Sequence, residues 1–212
     1  MKYIIMCGGR YKAWTTPRQL AIIGKETVVE RTIRLLKEYG VTDIAISSNE
    51  PVFEQFNVPV LKHKNTYYAR RYNDVDGHWY EAFYPTTEPV CYLFGDVIFS
   101  PNAIKTIVET QTDDIEFFAS APPFDRRYSK YHAEPFALKV VDLSHFKMAL
   151  KQLKEYEEQG RFVRKPLMWE LWQVIKRTPL NRIDYSNYTV INDYTCDIDN
   201  PEDVEKFRYI GD

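Results

Sequence analysis

Several things are missing from this 212-residue chain, and each absence removes a class of protein. No apolar run approaches the roughly 20 residues that a membrane-spanning helix needs. The opening MKYIIMCGG holds no apolar stretch of export-signal length, so a cytoplasmic setting is expected. Charge is balanced, with 28 basic against 30 acidic residues and a net charge of −2, which excludes the basic excess of a general nucleic-acid binder. Cysteine is scarce: Cys7, Cys91 and Cys196 are too few and too scattered for a disulfide framework or a zinc site. Cys7 and Cys91 lie in apolar runs and read as buried thiols, while Cys196 reads as incidental. The four histidines, His63, His78, His132 and His145, show no metal-ligand spacing. There are no repeats and no low-complexity tract.

Aromatic residues are abundant: 16 Tyr, 12 Phe and 4 Trp. Tyr and Trp bury apolar area while keeping a polar handle, which suits both a core and the lining of a ligand cleft. With 44% apolar residues the chain can build a sizeable core, and its length fits a single domain. Apolar strand-like runs alternate with helical spacing. Strands are expected at 3–6, 42–48, 58–61, 90–94, 115–120 and 136–141. Helices are expected at 26–39, 101–109 (Ser100 as N-cap), 143–159, 167–176 and 201–207. This alternation predicts an α/β fold, a mainly parallel central sheet with helices on both faces. Residues 65–89 have weak periodicity and many aromatics, and read as a substrate-facing insertion in that domain. Met168-Trp169-Glu170-Leu171-Trp172 reads as a helix packing face or a homodimer contact.

The first strand-like run leads into Cys7-Gly8-Gly9-Arg10, and Pro17-Arg18-Gln19-Leu20 follows. A buried strand that ends in paired glycines and then presents cations is suited to phosphate. Glycine lets backbone N–H groups approach closely, and Arg10 and Arg18 supply charge. The expected place for a nucleotide is therefore the carboxyl end of the first strand. Asp96 directly follows the apolar run 90–94, where a carboxylate can hold Mg²⁺ over the phosphates or simply cap a turn. In Asp197-Ile198-Asp199 the two acids are two apart and face one side of an extended segment, so one or both can join Asp96 at a metal. Asp199 or Asn200 can equally cap the helix that starts at Pro201.

The order of these segments resembles the nucleotidyltransferase family of the GT-A-like (Rossmann-like) α/β fold, which includes the sugar-phosphate and phosphocholine nucleotidyltransferases. The resemblance runs over nearly the whole chain. It rests on the Gly-Gly loop, Pro17-Arg18-Gln19-Leu20, Gly24-Lys25 leading to Glu30-Arg31-Thr32-Ile33, the Gly95-Asp96 turn and the segment from Asp197-Ile198-Asp199-Asn200 to Pro201-Glu202-Asp203. It implies a Mg²⁺-dependent transfer of a nucleoside monophosphate from a nucleoside triphosphate to a small phosphorylated acceptor, with pyrophosphate released, as in making precursors of surface polysaccharide. It implies no nucleic-acid or membrane partner. Cys7, Gly8, Gly9, Arg10, Arg18 and Gly95 would bind the nucleotide, and Arg10, Arg18 and Asp96 would carry catalysis. Asp96, Asp199 and Asp197 would hold the metal, and Trp79, Tyr80 and Glu134 would contact base or acceptor. Two features depart from the family pattern: the loop lacks Gly-x-Gly-x-Arg, and Arg18 stands where lysine is usual. A GT-A glycosyltransferase would carry Asp-x-Asp on the middle strand, where this chain has Gly95-Asp96 with one acid. A non-catalytic nucleotide-binding module stays open. A redox dinucleotide site is disfavoured, because Ser47-Ser48-Asn49 stands where an acid should follow the second strand.

Overall fold

Strand β1 (Lys2–Met6) is a short apolar run whose interior is buried, and it lies inside the sheet with a neighbour on each side. The computed structural model describes residues 1–8, 14–63, 77–120 and 133–207. β2 (Ile22–Ile23) and β3 (Glu26–Thr27) form a small antiparallel hairpin. Helix α1 (Val28–Glu38) follows directly. Its start is fixed by a capping box in which the Thr27 hydroxyl accepts from the Glu30 N–H, while the Glu30 carboxylate accepts from the Thr27 N–H at 2.7 Å. Val29, Ile33 and Leu36 make its buried stripe, and the chain leaves through Gly40 at φ +79°, a conformation that glycine adopts without strain.

β4 (Ile44–Ser47) and β5 (Val60–Leu61) extend the sheet on one side of β1, and β6 (Val90–Phe94) pairs on the other; all of these pairings are parallel. Every residue of β4 and β6 is buried. Since successive side chains point to opposite faces, both faces of the sheet are covered there. β7 (Val97–Ile98) leads to helix α2 (Pro101–Glu109), which has the expected bounds and the expected Ser100 cap. β8 (Ile115–Ala119) and β9 (Pro135–Val140) follow, then α3 (Leu143–Glu158), α4 (Met168–Lys176), β10 (Thr189–Val190), β11 (Cys196–Asp197) and α5 (Pro201–Glu205).

Among the described residues the main sheet has seven strands in the order β10-β8-β9-β6-β1-β4-β5. β9 runs antiparallel to both of its neighbours; the other pairings are parallel. This is the mostly parallel α/β sheet that the sequence led us to expect. β7 and β11 form a separate antiparallel pair.

The principal core gathers Ile4, Ile5, Tyr92, Phe117, Phe136 and Trp172, all at most 1% exposed. Trp169, Glu170 and Trp172 of α4 are buried, so this segment is a packing face rather than a dimer contact. The buried Glu170 carboxylate is satisfied by Arg164 Nε at 2.6 Å and by the Leu167 N–H at 2.9 Å. A second, smaller core joins Ile23, Val28, Ile98, Cys196, Ile198 and Phe207. It locks the β2–β3 hairpin to the β7–β11 pair. Among the described residues no helix is long and apolar enough to cross a membrane.

Candidate active site

The parallel register sets Met6 of β1 beside Phe94 of β6, so the two carboxyl ends emerge together. β9 runs the other way, which brings its amino end, and Glu134 before it, to the same rim. This is the edge at which open α/β sheets take ligands. A cavity of about 140 Å³ lies there. Met6, Phe94, Trp79 and Ala82 give it an apolar wall, and Arg18, Gln19, Asp96, Glu134 and Asp197 give it polar groups, with Gly8 presenting backbone. A larger hollow of about 500 Å³ lies on the far side of α1, but Arg34 at its edge is already held by Glu26 and Glu38. We read that hollow as a solvated surface groove.

Arg18 is the centre of the site. Residues 18–20 form a single 3₁₀ turn, and the Arg18 side chain is 8% exposed. Its Nη2 is ion-paired with Asp96 Oδ2. Its Nη1 donates to Asp199 Oδ1 at 2.7 Å and to the Ile198 carbonyl at 2.9 Å. One guanidinium thus bridges two carboxylates carried by segments far apart in sequence. The backbone reinforces this closure: the Ile198 N–H donates to the Asp96 carbonyl at 2.9 Å, and Trp14 Nε1 donates to the Asp199 carbonyl at 2.7 Å. Asn200 is the N-cap of helix α5, and Asp203 Oδ2 accepts from the Asn200 and Asp199 N–H groups, at 2.9 and 3.1 Å. Burial opposes ionisation of Asp203, yet these N–H groups and Lys206 outweigh it and hold the carboxyl below its ordinary range.

Three of the expected site residues take other places. Cys7 is buried with its N–H donated to the Ser47 carbonyl at 2.9 Å and its carbonyl accepting from Ser48 Oγ at 3.1 Å. Burial, with the nearby Asp96 charge, raises its thiol well above the ordinary value, so the thiol packs as a neutral group. Gly95 donates its N–H to the Met6 carbonyl at 3.1 Å, which leaves it no backbone donor for a phosphate. It is there for closeness: a Cβ at this position would lie 2.6 Å from the Met6 oxygen and 2.8 Å from the Cys7 sulfur. Tyr80 turns away from the cavity and donates to Glu157 Oε2 at 2.8 Å, beside His78 Nδ1, which is also 2.8 Å from that oxygen. Burial first and this carboxylate second raise its phenol.

Trp79, one residue earlier on the turn Trp79–Ala82, does line the cavity, edge-on to Phe83 and Phe94 at 5.3 and 5.8 Å between centroids. Gly8, Arg18, Asp96, Glu134 and Asp197 line this one cavity, and Asp199 joins them through its ion pair with Arg18. Gly9 and Arg10 lie outside the described residues. So does His132. Cys91 and Cys196 are buried thiols, with burial pushing Cys91 up to about 12. Gln19 escapes the sequence reading: it is 1% exposed, lines the cavity, and its Oε1 has no hydrogen-bond partner among the described residues. A buried amide left this way is costly unless something fills the cavity beside it. The sequence does carry a signal for it, a glutamine placed between Arg18 and Leu20 in the short turn 18–20.

No protein-family model and no curated protein matches the chain. Solved structures do, over nearly its full length. The chain is similar to CTP:phosphocholine cytidylyltransferase of Streptococcus pneumoniae, with 16% identity over 99% of this chain and 98% of that one and a TM-score of 0.53. It is similar to the inositol-1-phosphate CTP transferase of T. maritima, with 15% identity over 99% and 95% and a TM-score of 0.54. It is also similar to 4-diphosphocytidyl-2C-methyl-D-erythritol synthase of Anaerococcus prevotii, with 11% identity over 99% and 96% and a TM-score of 0.53. At these identities the likeness is one of fold: the chain has the nucleotidyltransferase-like, GT-A-like α/β fold of these structural neighbours.

Proposed function

We propose that the protein is a nucleotidyltransferase that moves a nucleoside monophosphate from a nucleoside triphosphate to a small phosphorylated acceptor and releases pyrophosphate. The observation that carries this reading is the convergence of Arg18, Asp96 and Asp199 at the carboxyl ends of β1 and β6, on a fold shared with cytidylyltransferases. Transfer of this kind asks little covalent chemistry of a protein. It needs two anionic reactants aligned and their charge neutralised.

The donor set suits Mg²⁺. Carboxylate oxygens are its usual protein ligands, and one or two of them suffice when phosphates complete the sphere. Asp96 and Asp199 already share one cation, the Arg18 guanidinium, so both carboxylates face the same small volume. Asp197 adds a further carboxylate at the rim of the cavity. Among the described residues no group of three or more His, Cys, Asp or Glu side chains is placed to hold a metal, so these aspartates would hold Mg²⁺ with the substrate phosphates. Bound there, the ion would offset charge on the reacting phosphates. Arg18, with Arg10, would hold the pyrophosphate side of the triphosphate. Gly8 keeps the rim open to its backbone. Trp79 would offer a ring face to base or acceptor, in line with a substrate-facing role for the segment 65–89, and Glu134 would accept from acceptor hydroxyls.

The test is pyrophosphate release with Mg²⁺, across CTP, UTP, GTP, ATP and dTTP, against sugar phosphates and phosphocholine. Turnover with one pair is expected, falling by at least about 100-fold in Asp96→Asn. Nucleotide binding with no pyrophosphate release from any pair would refute the reading in favour of a binding module.

A further inference from the structure

We propose that Arg18 is an internal cation which occupies the metal-side carboxylates in the nucleotide-free protein and gives them up when a triphosphate binds. The nucleotidyltransferase reading supplies only the identity of the anion; the competition between guanidinium and metal follows from the geometry.

Arg18 engages one oxygen of each acid, Asp96 Oδ2 and Asp199 Oδ1, and so fills the gap in which a divalent cation shared by these two aspartates would have to sit. Both pairs are largely shielded: the Arg18 side chain is 8% exposed, that of Asp96 19% and that of Asp199 29%. Shielded pairs are screened little by salt, so the guanidinium is a strong competitor. Without it, two aspartates would face each other across a poorly hydrated gap. A lysine could not do the same work. Its ammonium is a point charge, whereas the planar fork of arginine spans two carboxylates and the Ile198 carbonyl together.

The same fork matches phosphate oxygens in bidentate fashion. A triphosphate entering the cavity therefore offers Arg18 replacement partners of equal kind, and the carboxylates it leaves become an oxygen site for a divalent ion. Arginine–carboxylate contacts are exchanged for arginine–phosphate and carboxylate–metal contacts, with no charge left buried and unpaired. Anion and metal binding are then positively coupled through one side chain, and the coupling is reciprocal. Arg18 acts here as a positioning residue for the acids, in addition to its contact with the nucleotide.

The experiment titrates Mn²⁺ by calorimetry into the full chain without nucleotide, as wild type, Arg18→Lys and Arg18→Gln. Arg18→Gln should bind Mn²⁺ about 30-fold more tightly than wild type, the equivalent of one charge-assisted contact. Arg18→Lys should fall between them, and adding Asp96→Asn to Arg18→Gln should remove the gain. In a separate metal-free titration, inorganic tripolyphosphate should bind wild type at least about tenfold more tightly than Arg18→Gln. Equal Mn²⁺ affinity in wild type and Arg18→Gln overturns the competition. Unchanged tripolyphosphate affinity overturns the exchange. Should Arg18→Gln fail to fold, Arg18→Lys decides alone, and Mn²⁺ binding no tighter than wild type overturns the proposal. Tighter Mn²⁺ binding by the variants together with no pyrophosphate release from wild type would sink the enzyme reading and leave the arginine–metal competition standing.

Discussion

Replacing Gly95 by alanine tests how the site is built. The new methyl would sit 2.6 Å from the Met6 carbonyl oxygen and 2.8 Å from Cys7 Sγ, whereas ordinary contact begins at 3.4 Å. Neither neighbour yields easily. The Met6 oxygen is backbone and already accepts the Gly95 N–H at 3.1 Å, and the Cys7 backbone is pinned by the Ser47 carbonyl at 2.9 Å. The turn must therefore lift off the end of β1. Lifting it strains the hydrogen bond from Gly95 and opens a gap in a core that was closely packed. Overpacking against backbone of this kind should cost about 2–4 kcal/mol. For a chain of this size that corresponds to a fall in Tm of about 5–15 °C. The assay is thermal unfolding by circular dichroism of Gly95→Ala, Cys7→Ala and the double variant. The double variant removes the sulfur contact but keeps the carbonyl contact, so it should recover only part of the loss. A Tm for Gly95→Ala within about 2 °C of wild type would refute the close-approach argument. Full recovery in the double variant would show that the sulfur alone sets the limit.

Two further outcomes are expected. Arg31, buried on α1, donates to the Phe99 carbonyl at 3.1 Å and to the Tyr194 hydroxyl at 2.9 Å and pairs with Glu26 at 3.3 Å. Arg31→Met should cost about 2–4 kcal/mol in denaturant unfolding, because it takes away the donor to the buried Phe99 carbonyl and the Tyr194 hydroxyl, and a midpoint equal to wild type would count against this. Asp203 has a folded-state pKa held below its ordinary 3.8. Its stabilising contribution is therefore complete above that ordinary value and is lost as pH falls through the lower, folded-state value. Asp203→Asn should be less stable than wild type at neutral pH, and the gap should close in acid. A gap that is the same at about pH 7 and at about pH 2 would show that charge is not what Asp203 contributes.

What was legible in the sequence is what is local. Helix α2 was legible in full, since Ser100 and Pro101 mark its start and the Ser100 hydroxyl does accept from the Ala103 N–H at 2.9 Å. β1 and β6 were legible as apolar runs stopped by glycine. The direction of β9 was not, because a strand buried on both faces carries the same pattern whichever way it runs. The β2–β3 hairpin was not, because strands of two residues are too short to show a period; the helical spacing of the residues that follow extends back over 26 and 27 and hides them. Trp79 and Tyr80 could not be told apart: neighbours on a 3₁₀ turn diverge by about 120°, and here one faces the cavity and the other Glu157.

The site's own closure is the least local feature of all. Asp197 and Asp199 reach Asp96 through the β7–β11 pairing, in which Val97 registers with Asp197 although the two lie far apart in the chain. The sequence offers the two acidic segments and the cation separately, and nothing in a local pattern joins them. The second core does the joining: Ile98, Cys196 and Ile198 pack with Ile23 and Val28, which follow closely on the turn bearing Arg18. The apolar residues that interleave with the charged ones therefore decide where the charges go. It follows that the arginine and the two aspartates are held together from both sides, by their own ion pairs and by the apolar packing beneath them. Removing the guanidinium should leave the carboxylates close together, which is the condition under which a divalent cation can take its place.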